Sequence, residues 1–127
     1  MKDRIEESKE DYLETILVLY NRNGSVRAVD IAAELDFSKP SVSVAMKKLR
    51  QDECISVDEN GFITLTERGR KLAELVYNRH LLFSEWLISL GVAKDIATQD
   101  ACRLEHVIST ESFSAIRKYV EKHGYGL

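Results

Sequence analysis

Apolar residues recur three and four positions apart through most of the chain, the period of helices that bury one face. In "EDYLETILVLYNR" Leu13, Ile16, Leu17 and Tyr20 share a stripe, which predicts an amphipathic helix over 9–22, and "NRNG" at 21–24 stops it. The pattern returns in "AVDIAAEL", 28–35, a short helix with Val29, Ile31, Ala32 and Leu35 as its apolar positions. After the turn "DFSKPS", Ser38 suits an N-cap and Pro40 a first helical turn, so "SVSVAMKKLRQDE" is expected to run as a helix with Val42, Ala45, Met46 and Leu49 inward. At "CISVDENGFITLT" the period changes. Two short β-prone runs flank Asn60-Gly61, a dipeptide suited to a tight hairpin turn with positive φ. Thr66 can cap a long helix from Glu67 to about Leu90, ended by Gly91. Further helices are expected over 95–109 and 111–122, and the polar tail "KHGYGL" is expected to be loose.

Two helices joined by a short turn and followed by a hairpin is the order of a winged helix-turn-helix, in which the second helix enters the major groove. The charge distribution agrees with that reading. Residues 38–50, "SKPSVSVAMKKLR", contain Lys39, Lys47, Lys48 and Arg50 and no acid, although the formal net charge of the 127-residue chain is −3. Ser38, Lys39, Pro40, Ser41 and Ser43 cluster at the helix start, where side chains and free N–H groups can meet phosphates or base edges. Lys47 and Lys48 extend the positive surface, and Arg27, just before the preceding helix, can hold a phosphate. Lysines on a helix are also what any solvated face carries; the turn, the hairpin and the acid-free stretch together favour DNA. A negative total suggests affinity that depends on dimerisation or on a switch.

The opposite asymmetry marks the N-terminus. Residues 1–14 hold six acids (Asp3, Glu6, Glu7, Glu10, Asp11, Glu14) against three bases. Further on, "DACRLEHV" places Cys102, Glu105 and His106 within five residues. At 100° per residue they lie on the flank of the stripe formed by Ala97, Ala101, Leu104 and Ile108 and are expected to be half-buried. With Asp11 and Glu14 beside the first apolar stripe and His80 in the long helix, thiolate, carboxylates and imidazoles from three helices can converge on a transition metal. Each has a plainer role open to it: Asp11 as part of a capping box with Ser8, His80 as a hydrogen-bonded histidine, Cys102 as packing.

The segments "EDYLETI", "SKPSVSVAMKKL", "LTERGRKLA" and "ACRLEHVIS" resemble, in order and over nearly the whole chain, the diphtheria-toxin-repressor family of metal-dependent regulators. The resemblance implies a mainly α chain: an N-terminal winged helix-turn-helix DNA-binding domain, 1–72, followed by a helical metal-binding and dimerisation domain, 73–127. It implies a regulator, usually a repressor, that binds double-stranded operator DNA as a homodimer when loaded with Mn(II) or Fe(II), with Zn(II) or Co(II) able to bind in vitro. Asp11 and Glu14 match ligand positions of the manganese-responsive branch, and His80, Glu105 and His106 match positions shared widely. Cys102 matches the iron-type ligand, where manganese-type members have glutamate, so the set is a hybrid. Ser84 and Thr98 stand where iron-type members have the glutamate and second histidine of an ancillary site. The chain resembles the short, two-domain members.

Two cysteines at unrelated spacing give no disulfide framework, the N-terminus is too polar for a signal peptide, and no apolar run approaches a membrane span. A cytoplasmic protein with no membrane partner and no enzymatic role is expected. A metal-independent winged-helix regulator, using its C-terminal helices for dimerisation or for an organic ligand, is the competing reading. A small metallohydrolase leaves the basic hairpin module without a purpose. "RHLLFSEWLISLGV", 79–92, has more large apolar residues, including Phe83, Trp86 and Leu87, than a one-sided helix needs, as a dimer surface would.

Overall fold

The computed structural model describes residues 4–124, with six helices and one hairpin: α1 (Arg4–Asn23), α2 (Ala28–Leu35), α3 (Lys39–Gln51), β1 (Ile55–Val57), β2 (Ile63–Leu65), α4 (Glu67–Ser89), α5 (Lys94–Val107) and α6 (Thr110–His123). These form two compact units, one over Arg4–Leu75 and one from Val76 onward. The acids Asp3, Glu6 and Glu7 and the last residues of the tail, 125–127, lie outside the residues or side chains described.

The first unit closes around Leu13, Ile16, Leu17 and Leu19 of α1, Ile31 and Ala32 of α2, Val42, Met46 and Leu49 of α3, and Cys54, Ile55 and Ile63 of the hairpin. The cap on α3 is the expected one. Ser38 Oγ accepts the Ser41 N–H at 3.3 Å and donates to Ser41 Oγ at 2.8 Å, with Pro40 in the first turn. On α2 the Arg27 N–H donates to Asp30 Oδ2 at 2.8 Å, and the chain leaves through Asp36 in the left-handed region at φ 56°. The strands pair antiparallel with Val57 opposite Ile63.

The hairpin turns at Asn60-Gly61 as expected. The Asp58 N–H donates to the Phe62 carbonyl at 3.0 Å and the Gly61 N–H to the Asp58 carbonyl at 3.1 Å, leaving a three-residue connection, Glu59 to Gly61. Asp58 Oδ1 accepts the N–H groups of Asn60 and Phe62, both at 2.9 Å. Gly61 has the positive φ the turn requires, 86°, and the three-residue length fits a type I turn closed by a glycine bulge. The hairpin is tied to the rest of the unit by the Ile63 N–H on the Val26 carbonyl at 2.8 Å.

Thr66 caps α4 as expected, its hydroxyl accepting the Gly69 N–H at 3.1 Å while donating to the Glu53 carbonyl at 2.6 Å. Gly69 was not singled out by the sequence. It packs so closely on Cys54 that an added Cβ would collide with the Cys54 carbonyl.

In the second unit Leu82 and Phe83 of α4, Ala101 of α5, and Phe113 and Val120 of α6 form the core, with Trp86, Leu104, Ile108 and Ile116 partly buried around them. Phe83 and Phe113 meet edge to face at 5.7 Å. α4 ends at Ser89, with Gly91 in a left-handed turn at φ 102°. Ser109 caps α6, which runs one residue beyond the expected end, to His123.

Other side chains depart from the pattern. α1 begins at Arg4 rather than near residue 9. Tyr20 and Val29 are exposed; Val29 lies nearly opposite Ile31 on the α2 wheel, and so short a helix buries little more than one edge. Phe83, expected at a partner surface, is core, while Leu81, Ile88 and Leu90 are the exposed large residues of that stretch.

Candidate metal centre and nucleic-acid interface

Four of the candidate ligands lie in the second unit, and the fold brings them together. Cys102, Glu105 and His106 occupy successive turns of α5, and each offers a ligand atom within 4.8 Å of the others. His80 of α4 approaches the same carboxylate: its Nδ1 is 4.0 Å from Glu105 Oε2, while His106 Nε2 is 3.7 Å from Glu105 Oε1. The i, i+3, i+4 spacing of α5 stacks these side chains on one edge because residues three and four apart are neighbours on a helix.

Burial goes further than the helical wheel predicts. Glu105 is 1% exposed and His106 8%, whereas Cys102 is half-buried as expected. The wheel registers only the face of α5 turned to its own core, whereas His80 of α4 also stands against the Glu105 carboxylate. Burial pushes the His80 imidazole below its ordinary pKa, which favours the neutral ring, the form whose lone pair can serve a ligand. The buried His80 Nδ1 has no hydrogen-bond partner among the described residues. A dry carboxylate, a neutral imidazole with an unused nitrogen, a second imidazole and a thiol fit a borderline divalent cation: carboxylate suits manganese, imidazole suits iron and zinc, and thiolate shifts preference towards the softer ions.

Asp11 and Glu14, the other two candidates, stand half-buried on α1 in the first unit, one turn apart, beside the stripe that fills its core. Burial and the Asp11 carboxylate push the neighbouring Tyr12 hydroxyl above its usual pKa.

The first unit also places the nucleic-acid candidates. Ser38, Lys39, Pro40, Ser41, Ser43, Lys47 and Lys48 are all exposed, on the side of α3 away from Val42, Met46 and Leu49. Ser38 is engaged as a cap. Arg27, before α2, lies with its guanidinium 5.3 Å from the centre of the Phe62 ring at the hairpin tip, which ties it to the wing. Beside them stands Val44, 57% exposed, a residue that sequence reasoning passed over because an apolar side chain in a helix reads as core. On an outward helix face it can meet a thymine methyl. A groove of about 320 Å³ runs along this edge, lined by Ser8, Lys9 and Tyr12 of α1 and by Ser41, Val44 and Lys48 of α3.

Comparison with known proteins fits both halves. Residues 4–61 match the N-terminal DNA-binding domain of iron-dependent repressors, and residues 66–124 match their metal-binding and dimerisation domain. Over 115 residues the chain is 37% identical to the transcriptional regulator MntR of Escherichia coli O6:H1, covering 91% of this chain and 74% of that protein. The chain belongs to the iron-dependent repressor family. Among solved structures it is similar to the manganese regulator SloR (31% identity, TM-score 0.77) and to the metal-dependent transcriptional regulator MtsR (28%, 0.81). Each comparison covers 89% of this chain and 53% of the other, so the chain spans about half the length of those two proteins.

Within this family of metal-dependent DNA-binding regulators the chain has its own features. At Ser84 and Thr98, the positions that the sequence resemblance relates to an ancillary site, the Ser84 hydroxyl donates to the Leu81 carbonyl at 3.1 Å and the Thr98 hydroxyl to the Lys94 carbonyl at 2.7 Å. Both side chains bond back to their own helix, as hydroxyl residues in helices do. Among the described residues, no helix is long and apolar enough to cross a membrane.

Proposed function

We propose that this chain is a cytoplasmic transcriptional regulator, a repressor and not an enzyme, that binds operator DNA as a homodimer when Mn(II) or Fe(II) is held by Asp11, Glu14, His80, Cys102, Glu105 and His106. Residues 1–72 serve as the DNA-binding domain and 73–127 as the metal-binding and dimerisation domain. The observation that carries the reading is the buried Glu105 carboxylate, flanked by His80, Cys102 and His106 on two helices of the second unit.

A bound divalent cation supplies the positive charge that lets several carboxylates share a small space. The chain does the rest. α5 holds Glu105 dry, and α4 holds His80 neutral beside it. Asp11 and Glu14 ride on α1, whose buried face packs in the same core as α2 and α3; whatever fixes those two carboxylates also fixes the body that presents Ser41, Ser43, Lys47 and Lys48. In a dimer, two α3 helices then meet successive major grooves roughly 34 Å apart. The hybrid donor set sets the metal: Cys102 favours iron, while Asp11 and Glu14 favour manganese.

The test is anaerobic equilibrium dialysis of the reduced protein against Mn(II), Fe(II) and Zn(II), with Cys102→Ala alongside, followed by binding of the loaded and chelated forms to DNA selected from a random pool. Metal retained by the native chain, a lower iron-to-manganese preference in Cys102→Ala, and DNA affinity lost on chelation are expected. Unchanged DNA affinity after chelation would instead establish the metal-independent regulator.

A further inference from the structure

Next to His80 the long helix carries a charge that the candidate metal centre does not use. Arg79 is 5% exposed, and its Nε is buried with no hydrogen-bond partner among the described residues. Its guanidinium lies 5.0 Å from the centre of the Phe113 ring, and Nη2 reaches Thr110 Oγ1 at 3.3 Å. No carboxylate is within ion-pair distance of Arg79 among the described residues. A buried guanidinium without a counterion is an expensive arrangement, and an aromatic face and one neutral hydroxyl offset only part of the cost.

The residue that Arg79 grips opens α6. Thr110 is its first helical position, after the Ser109 cap. The Ser112 N–H is taken by Ser109 Oγ at 3.1 Å and the Phe113 N–H by the Ser109 carbonyl at 2.9 Å. The N–H groups of Thr110 and Glu111 have no acceptor within their own helix. A second guanidinium, from Arg117 one turn on, lies 5.5 Å from the same Phe113 ring and is half-exposed, with only a 3.9 Å approach to Glu121. An unneutralised buried guanidinium, a hydroxyl and the positive end of a 14-residue helix therefore converge.

We propose that Arg79, Thr110 and the first turn of α6 form a binding site for an oxyanion, with the Arg79 guanidinium as its charge and the Thr110 hydroxyl as a neutral donor. The ligand is planar or tetrahedral oxygen chemistry: a small free oxyanion such as sulfate or phosphate, or a carboxylate offered by a second copy of this chain. The site is separate from the metal reading above and stands or falls without it. Exposed Ser109, Thr110 and Glu111 give the ligand its entrance.

The experiment is calorimetric titration of inorganic sulfate into the metal-free full chain at constant ionic strength, with Arg79→Met, Arg79→Lys and Thr110→Val in parallel. Sedimentation of each protein with and without sulfate accompanies it. Saturable binding by the native chain, weakened at least tenfold in Arg79→Met and severalfold in Thr110→Val, supports a free oxyanion. A dimer whose dissociation constant rises at least tenfold in Arg79→Lys, and which sulfate loosens, supports a carboxylate from the second copy. Arg79→Lys keeps the charge but loses the planar fork, so it reads the site even where Arg79→Met fails to fold. No sulfate binding by the native chain, together with an unchanged dimer constant in Arg79→Lys, overturns the proposal.

Discussion

A carboxylate as enclosed as that of Glu105 is costly to keep ionised, and its two oxygens face His106 and His80 at 3.7 and 4.0 Å. Glu105→Gln keeps the shape and removes the charge. Metal affinity measured by dialysis is expected to fall at least about a hundredfold, more than the tenfold to hundredfold typical of outer-sphere changes. The metal-free protein should be no less stable in urea, because the variant buries an amide in place of a charge. A large loss of stability with metal affinity intact would make Glu105 structural. Ser38 offers a second residue-scale test. Its hydroxyl caps α3 and stands among the candidate DNA contacts, so Ser38→Ala should cost about 1 kcal/mol in denaturant unfolding, and Ser38→Asp should restore stability without restoring DNA affinity. The spacing of Cys102, Glu105 and His106 was legible in the sequence because helical periodicity is local. The burial of Glu105 and of Arg79 was not: each depends on side chains brought up from another helix, His80 against Glu105 and Thr110 against Arg79, which no local pattern encodes.

Secondary elements were largely legible, and the exceptions have physical causes. Ser38, Pro40 and Thr66 mark helix starts through chemistry that is local to a few residues, and each does what it was expected to do. Asn60-Gly61 marked the hairpin turn correctly but not its length, which is set with the help of Asp58, whose carboxylate accepts two N–H groups of the loop. Gly69 sits in the first turn of α4, where a glycine looks incidental, yet its missing side chain lets that helix settle on the Cys54 carbonyl. Gly69→Ala is expected to destabilise the first unit by about 3 kcal/mol or more, beyond the few tenths to 1 kcal/mol that alanine usually adds to a helix, because backbone must move to admit it. Chemical denaturation checks this, and a variant as stable as the parent would mean that the close approach is not obligatory.

Across the whole molecule, charge is arranged rather than abundant. The formal total is −3, yet residues 38–50 hold four bases and no acid, so attraction to DNA is confined to one surface. Each phosphate contact contributes a slope of roughly −0.9 to the dependence of log affinity on log salt. Lys47→Ala should therefore weaken binding to every sequence alike and reduce that slope by about one, in titrations of the metal-loaded protein at several salt concentrations. Val44→Ala, by contrast, should change which sequences are preferred and leave the slope as it was.

Thr66 has a reach beyond its own helix. One hydroxyl bonds the Glu53 carbonyl before the hairpin and the Gly69 amide inside α4, while the Thr66 amide bonds the Cys54 carbonyl. The base of the wing and the root of the helix that carries His80 are thus fastened at one point, and local opening at either end is expected to involve both. A mutation that loosens the wing is then expected to be felt at the root of α4, so that a well-ordered hairpin and a well-rooted α4 come together.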